Sequence, residues 1–255
     1  MSSYLLSFFA LLLAVGGCAS LPSPLPGGVA SGDVAVRYQS DQALRRTGFL
    51  TEGWRVEGTL EMDTPKILRR NRMELWGRGV TWARLVLFGP FRDVAGELHL
   101  TREWIRLSDP GKRDVVEVPA SAEGMQYLTG LSLEPGLLLA LLQARAEAAT
   151  VLPPGEDGGV WADTPTGERL LLVPDSGRIL ERHGLAPDGT AFMVQYLWGA
   201  PVTQGVLLPE KISIHLGDDA LFVVRARQWE ASDPAEQVAE SDAIPPGFSL
   251  RRPLD

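Results

Sequence analysis

Trp54-Arg55-Val56-Glu57-Gly58-Thr59-Leu60-Glu61-Met62 decides the fold. Trp54, Val56, Gly58, Leu60 and Met62 fall at every second position, with polar residues between several of them. Successive side chains of a strand point to opposite faces, so this alternation predicts a strand with one face buried. The pattern spreads outward from there. Met73, Leu75 and Gly77 continue it, as do Trp82, Val86 and Phe88 with the interleaved Leu85 and Leu87. Further strand candidates are 97–100, 104–107, 115–118, 159–162, 169–173, 178–183, 191–197, 206–216 and 221–229. Turn signals separate them: Gly89-Pro90, Asp109-Pro110-Gly111, Pro153-Pro154-Gly155, Asp175-Ser176-Gly177, Pro187-Asp188-Gly189 and Gly217-Asp218-Asp219. Many short strands at this spacing predict an antiparallel sheet or barrel.

One segment breaks the alternation. Residues 134–149 read Glu-Pro-Gly-Leu-Leu-Leu-Ala-Leu-Leu-Gln-Ala-Arg-Ala-Glu-Ala-Ala. Pro135 suits a first helical turn, and Leu and Ala are strong helix formers. Leu137, Leu138, Leu141 and Leu142 cover more than one face, so the start of this helix must be buried. Arg145 and Glu147 mark where it is expected to reach water. A single apolar helix in an otherwise β chain reads as a plug or lid on a curved sheet. A shorter helix is admitted over 33–46. There is no internal repeat and no sign of a second domain.

The N-terminal end carries a different signal. An apolar run from Tyr4 to Val15 leads through Gly16-Gly17 to Cys18, the sole cysteine. The run is too short to cross a bilayer, which takes roughly 20 apolar residues, and has the length of a secretory leader. A cysteine directly after such a run resembles a bacterial lipobox, in which the Cys becomes the new N-terminus and carries acyl chains. Met1-Ser2-Ser3 lacks the usual positive charge. The expected organisation is a leader over 1–17, then the acylated Cys18 and a Pro/Gly-rich tether over 18–47 with room for the short helix. A folded domain is expected over 48–230, followed by an acidic, Pro-containing strap over 231–255. The expected anchor is covalent lipid on Cys18, and no other cofactor is implied.

Composition narrows the function. The chain has 255 residues, 24 Lys+Arg against 32 Asp+Glu and a formal net charge of -8, and it is 45% hydrophobic. That content supports a core. The negative balance argues against nucleic acid as a partner, which needs a basic face. One cysteine allows no internal disulfide and no cysteine-based zinc cluster. His99, His183 and His215 have no metal-binding spacing, and no nucleophile elbow or phosphate-binding loop occurs. An enzyme is therefore not expected. Lys66, Arg69, Arg70, Arg72, Arg78 and Arg84 make 66–84 locally basic. This strip reads either as a solvated sheet face or as a patch for an acidic partner. Seven tryptophans either fill a core or line a cavity, and the sequence does not separate these.

Two stretches carry a family likeness. Leu85-Val86-Leu87-Phe88-Gly89-Pro90-Phe91-Arg92-Asp93, with Gly96-Glu97-Leu98-His99-Leu100, resembles a strand–loop–strand of the outer-membrane lipoprotein receptor family LolB. Leu128-Thr129-Gly130-Leu131-Ser132-Leu133-Glu134-Pro135, running into the leucine helix, resembles a second signature of that family. Weaker matches lie at 208–214 and in the last strand to Trp229. The resemblance covers roughly 48–230. It implies an unclosed antiparallel β-barrel, a half-barrel, with a helical lid over an apolar cavity. It further implies an acceptor that takes acylated lipoproteins, or lipids, from a soluble periplasmic carrier and delivers them to the outer membrane. The expected cavity residues are Trp54, Trp76, Phe88, Leu131, Leu137, Leu138, Leu141, Leu142 and Trp198. By position, Phe91 matches the exposed apolar residue of the family's protruding loop, a membrane-contact site. Arg92 and Asp93 depart from the small polar residues that follow it in the family. Ala19, which is not Asp, implies the outer membrane under the enterobacterial sorting rule. The expected product is a monomer, lipid-anchored in the outer membrane and facing the periplasm. The alternative is a structural or assembly lipoprotein that uses the same scaffold, and the basic strip, to hold a protein partner.

Overall fold

The computed structural model describes residues 30–64, 67–155, 159–201, 206–217, 220–233 and 244–254. The leader, Cys18 and the start of the tether therefore lie outside the described residues, as does Lys66.

The alternating stretch at Trp54 is β1 (Trp54–Thr64), at the middle of one sheet. To one side run β2 (Ile67–Arg78), β3 (Trp82–Phe88), β4 (Val94–Leu100), β5 (Trp104–Asp109) and β6 (Asp114–Pro119). To the other run β13 (Ala220–Ala231), β12 (Leu207–Leu216), β11 (Ala191–Pro201), β10 (Ile179–Leu185), β9 (Arg169–Leu172), β8 (Val160–Asp163) and β7 (Thr150–Val151). These neighbours all pair antiparallel. β14 (Ser249–Arg251), from the C-terminal strap, adds parallel to the outer edge of β6. Two up-and-down meanders are thus joined where β1 meets β13, from Trp54 opposite Ala231 to Asp63 opposite Leu221. Among the described residues the end strands, β14 and β7, do not pair with each other, so the barrel stays open.

The period-two pattern places the core. Val56, Leu60, Met73, Leu75, Ile212, Ile214, Phe222 and Val224 are all buried in one cluster on the concave face. The short helix of the tether region is α1 (Ser31–Arg45). Its buried residues Val34, Tyr38, Gln42 and Arg45 recur about once per turn and make one stripe. Val34 and Tyr38 belong to the same core as the strands, so the packed body begins ahead of Gly48. α2 (Phe49–Glu52) is a single turn that buries Phe49 and Leu50. α3 (Ala122–Thr129) was not expected; Ser121 caps it, its Oγ accepting the Gly124 N–H at 3.1 Å.

The leucine helix is shorter than expected. α4 covers Pro135–Leu142 and not 134–149. Past Leu142 the backbone bonds to side chains from elsewhere. Arg45 Nη1 donates to the Gln143 carbonyl at 3.1 Å. Gln42 takes both ends of one peptide stretch, donating to the Ala144 carbonyl at 3.1 Å and accepting the Ala146 N–H at 2.8 Å. Arg182 donates to the Arg145 carbonyl at 2.6 Å, and Tyr38 to the Glu147 carbonyl at 2.5 Å. Ala144 sits at φ 50°. Each such bond is worth about 1 kcal/mol net, whereas helix propensity differs by less than about 1 kcal/mol among ordinary residues. The network therefore wins. Arg145 is correspondingly half-buried rather than the point where a helix meets water.

Candidate functional site

Beneath α3 and α4 the concave face encloses a cavity of about 290 Å3. Its floor is built from alternate residues of adjacent strands: Leu60, Met73, Leu75, Leu85, Leu87, Leu98, Leu100, Leu107, Ile214, Phe222 and Val224. Met125 and Leu128 of α3, Leu131 of the linker, and Leu138, Leu139 and Leu142 of α4 form the roof. The polar lining is concentrated at one end, with Arg69, Ser108 and Asp109, plus Thr129 from α3. That end also carries Met62, Ala95 and Gly96, and lies where β1–β2, β3–β4 and β5–β6 turn.

Of the residues expected to line the cavity, Leu131, Leu138 and Leu142 do so. Six do not, each for a local reason. Trp54 is fully buried against Trp229, ring centres 5.7 Å apart, and lies flat over Gly77, where any Cβ would overlap its ring. Trp76 and Phe88 leave their strands on the convex face. Trp76 lies under the guanidinium groups of Arg55 and Arg84, at 5.4 and 5.8 Å, and Phe88 under that of Arg72 at 5.6 Å. Leu141 is fully buried, its own carbonyl accepting from Tyr196 Oη at 3.0 Å, and Leu137 packs half-buried at the edge of the core. Trp198 donates from Nε1 to the Ile179 carbonyl at 3.0 Å and is covered by Arg45 at 4.7 Å. Residues missed by the sequence reading include Met125 and Leu128 of α3, and Leu139. The strand leucines were findable: Leu85 and Leu87 share the parity of Met73 and Leu75 across the register, whereas Phe88 shares that of Arg72.

Toward the other end of the trough, buried polar side chains take the space under α1 and the segment after α4. Arg45 is fully buried and binds Asp41 at 2.7 and 3.0 Å, the Gln143 carbonyl and the Leu207 carbonyl. Arg182 pairs with Glu168 at 2.6 Å. Burial pushes the phenols of Tyr38 and Tyr196 up to about 12, so both stay neutral donors to the segment around α4. Arg69 both lines the cavity and is exposed, so the cavity reaches water at that end.

Phe91 is 91% exposed at the tip between β3 and β4. Arg92 beside it holds φ at 65°, which turns the chain sharply there. In the basic strip, Arg72 lies 3.7 Å from Glu74 on its own strand and Arg84 3.1 Å from Glu97 on β4, so part of its charge is matched. Among the described residues no group of three or more His, Cys, Asp or Glu is placed to hold a metal ion. No helix among them is long and apolar enough to cross a membrane.

No protein-family model matches the chain, and no curated protein matches it in sequence. Solved structures do match. A LolA superfamily protein from Nitrosomonas europaea aligns over 82% of this chain and 97% of its own, at 12% identity and a TM-score of 0.53. A putative outer membrane lipoprotein-sorting protein domain from Vibrio parahaemolyticus aligns over 78% and 92%, at 9% identity and a TM-score of 0.50. A DUF1329 family protein from Desulfovibrio piger aligns over 80% and 94%, at 8% identity and a TM-score of 0.52. At these identities the likeness is one of fold: a mainly β, unclosed barrel with a helical lid, of the kind seen in the LolA superfamily protein. The LolB-type signatures in the sequence are not matched by any more specific finding.

Proposed function

We propose that this chain is a non-enzymatic acceptor that shelters acyl chains of lipoproteins or lipids in the lidded cavity and passes them to the outer membrane. In this reading Cys18 carries the lipid anchor, a soluble periplasmic carrier supplies the cargo, and Phe91 meets the bilayer. The observation that carries it is the apolar cavity itself. A sealed void of 290 Å3 would cost on the order of 7 kcal/mol, less here because one end is open. A fold that needed only a core would fill that space with side chains. Burying a hydrocarbon guest there returns about 0.8 kcal/mol per CH2, so an acyl chain suits the void. The fold shared with a lipoprotein-sorting domain supports the same reading.

The test is lipid analysis of the chain purified without detergent from its native host, followed by titration with a palmitoylated peptide. Bound acyl lipid, and binding lost in Leu138→Glu, are expected. A lipid-free protein that refuses the peptide would overturn the reading.

A further inference from the structure

Arg69 follows Met73 and Leu75 backwards along β2 at period two, so it leaves the strand on the concave face, opposite Met62. Both residues line the mouth of the cavity. Arg70, of the other parity, stands opposite Glu61. Among the described residues, the charged ones that line the cavity are Arg69 and Asp109. Asp109 is already satisfied: Lys112 Nζ lies 3.0 Å from its carboxylate, and the Lys112 N–H donates to it at 3.1 Å. The lysine holds its carboxyl below the usual range. Arg69 is exposed and has neither an ion pair nor a hydrogen-bond partner among the described residues. A guanidinium at the lip of a hydrocarbon-lined hole, with no acceptor among the described residues, matches a carboxylate or phosphate whose tail lies inside.

We infer that the cavity selects amphiphiles with an anionic head, carboxylate or phosphate, and that Arg69 binds that head. This rests on the acyl-chain reading above and narrows its cargo. The head of a fully acylated lipoprotein is built from esters, a thioether and an amide and has no charge, so it gives Arg69 nothing to pair with. A fatty acid or a phospholipid does.

The test uses the full chain with Cys18→Ser, titrated calorimetrically with palmitate, palmitoyl lysophosphatidylglycerol, monopalmitoylglycerol and a tripalmitoylated cysteine peptide. The two anions should bind about five- to tenfold more tightly than monopalmitoylglycerol. Arg69→Gln should erase that difference and leave the uncharged ligand's affinity unchanged, while Arg69→Lys keeps part of it. Raising NaCl from about 0.05 to about 0.5 M should shrink the difference as well. Equal affinity for charged and uncharged heads, or palmitate binding indifferent to Arg69→Gln, overturns the inference while leaving an acyl-chain carrier standing. Inorganic phosphate binding as tightly as the lysolipid would make Arg69 an anion site independent of the cavity, and overturns it too. If no acyl compound binds, the carrier reading falls, and the inference with it.

Discussion

Arg45 Nη1 donates to the carbonyl oxygen of Gln143 across 3.1 Å, so the last turn of α1 holds the residue that ends the lid helix. The guanidinium is fully buried, and its other bonds reach Asp41 and the Leu207 carbonyl. Removing it strands several acceptors at once.

Arg45→Met is therefore expected to destabilise the fold by about 2–4 kcal/mol, since Asp41 and two carbonyls lose their partner. Urea unfolding measures the loss. Hydrogen exchange should show faster opening at 143–149 than at β1. Uniform loss of protection across the sheet would mean that Arg45 supports the core generally and does not pin the lid.

Gly177 gives a separate test of how α1 is docked. It turns the chain between β9 and β10 at φ 70°, and a Cβ there would collide with the backbone of Arg37 and Tyr38 in α1. Backbone cannot swing aside as a side chain does. Gly177→Ala should cost about 3 kcal/mol or more, from the left-handed conformation and the collision together. For a chain of this size that lowers Tm by about 6–12 °C. A melting curve matching wild type would show that α1 shifts freely over the β9–β10 turn.

Glu97 ties part of the stability to pH. Its carboxylate accepts from His99 Nε2 at 3.2 Å and pairs with Arg84 at 3.1 Å. The His99 hydrogen bond, helped by the Arg84 charge and opposed by burial, holds its carboxyl below the ordinary 4.5. A depressed pKa stabilises the native state above the unfolded value, and that contribution is lost as pH falls through the folded one. Wild-type stability should fall below about pH 4.5 more steeply than that of Glu97→Gln. Parallel stability curves for the two proteins between pH 5 and about 2 would remove Glu97 as a contributor.

The sheet was legible because burial on one face forces alternation, and Trp54 to Met62 shows it without interruption. The cavity was less so. Aromatic size drew attention to Trp76 and Phe88, yet their parity puts them with Arg72 and Arg84 on the convex side. Counting parity from Leu75 through its partner Leu85 would have found the floor. The end of α4 could not be read locally. The Ala-rich residues after Leu142 favour helix, and the groups that stop it, Gln42 and Arg45, lie about 100 residues away in sequence. α3 has only Met125 and Leu128 as cavity-facing apolar residues, too few to set a period. Its Ser121 cap was the signal available.

Phe91 supplies the last test, because its exposure separates folding from membrane contact. A side chain 91% exposed contributes little to the native state, so Phe91→Ala should leave the unfolding midpoint unchanged within about 0.5 kcal/mol. In a bilayer interface the same ring would bury up to about 1.5–3 kcal/mol of apolar surface. Loss of that term weakens partitioning by about tenfold or more. Co-sedimentation of the Cys18→Ser chain with phosphatidylethanolamine–phosphatidylglycerol vesicles reads it without the lipid anchor. Phe91→Trp should keep binding and shift its fluorescence to the blue on vesicle addition, as an indole leaving water does. If Phe91→Ala sediments as wild type does and the Phe91→Trp signal stays that of a solvated indole, the β3–β4 tip does not enter the membrane.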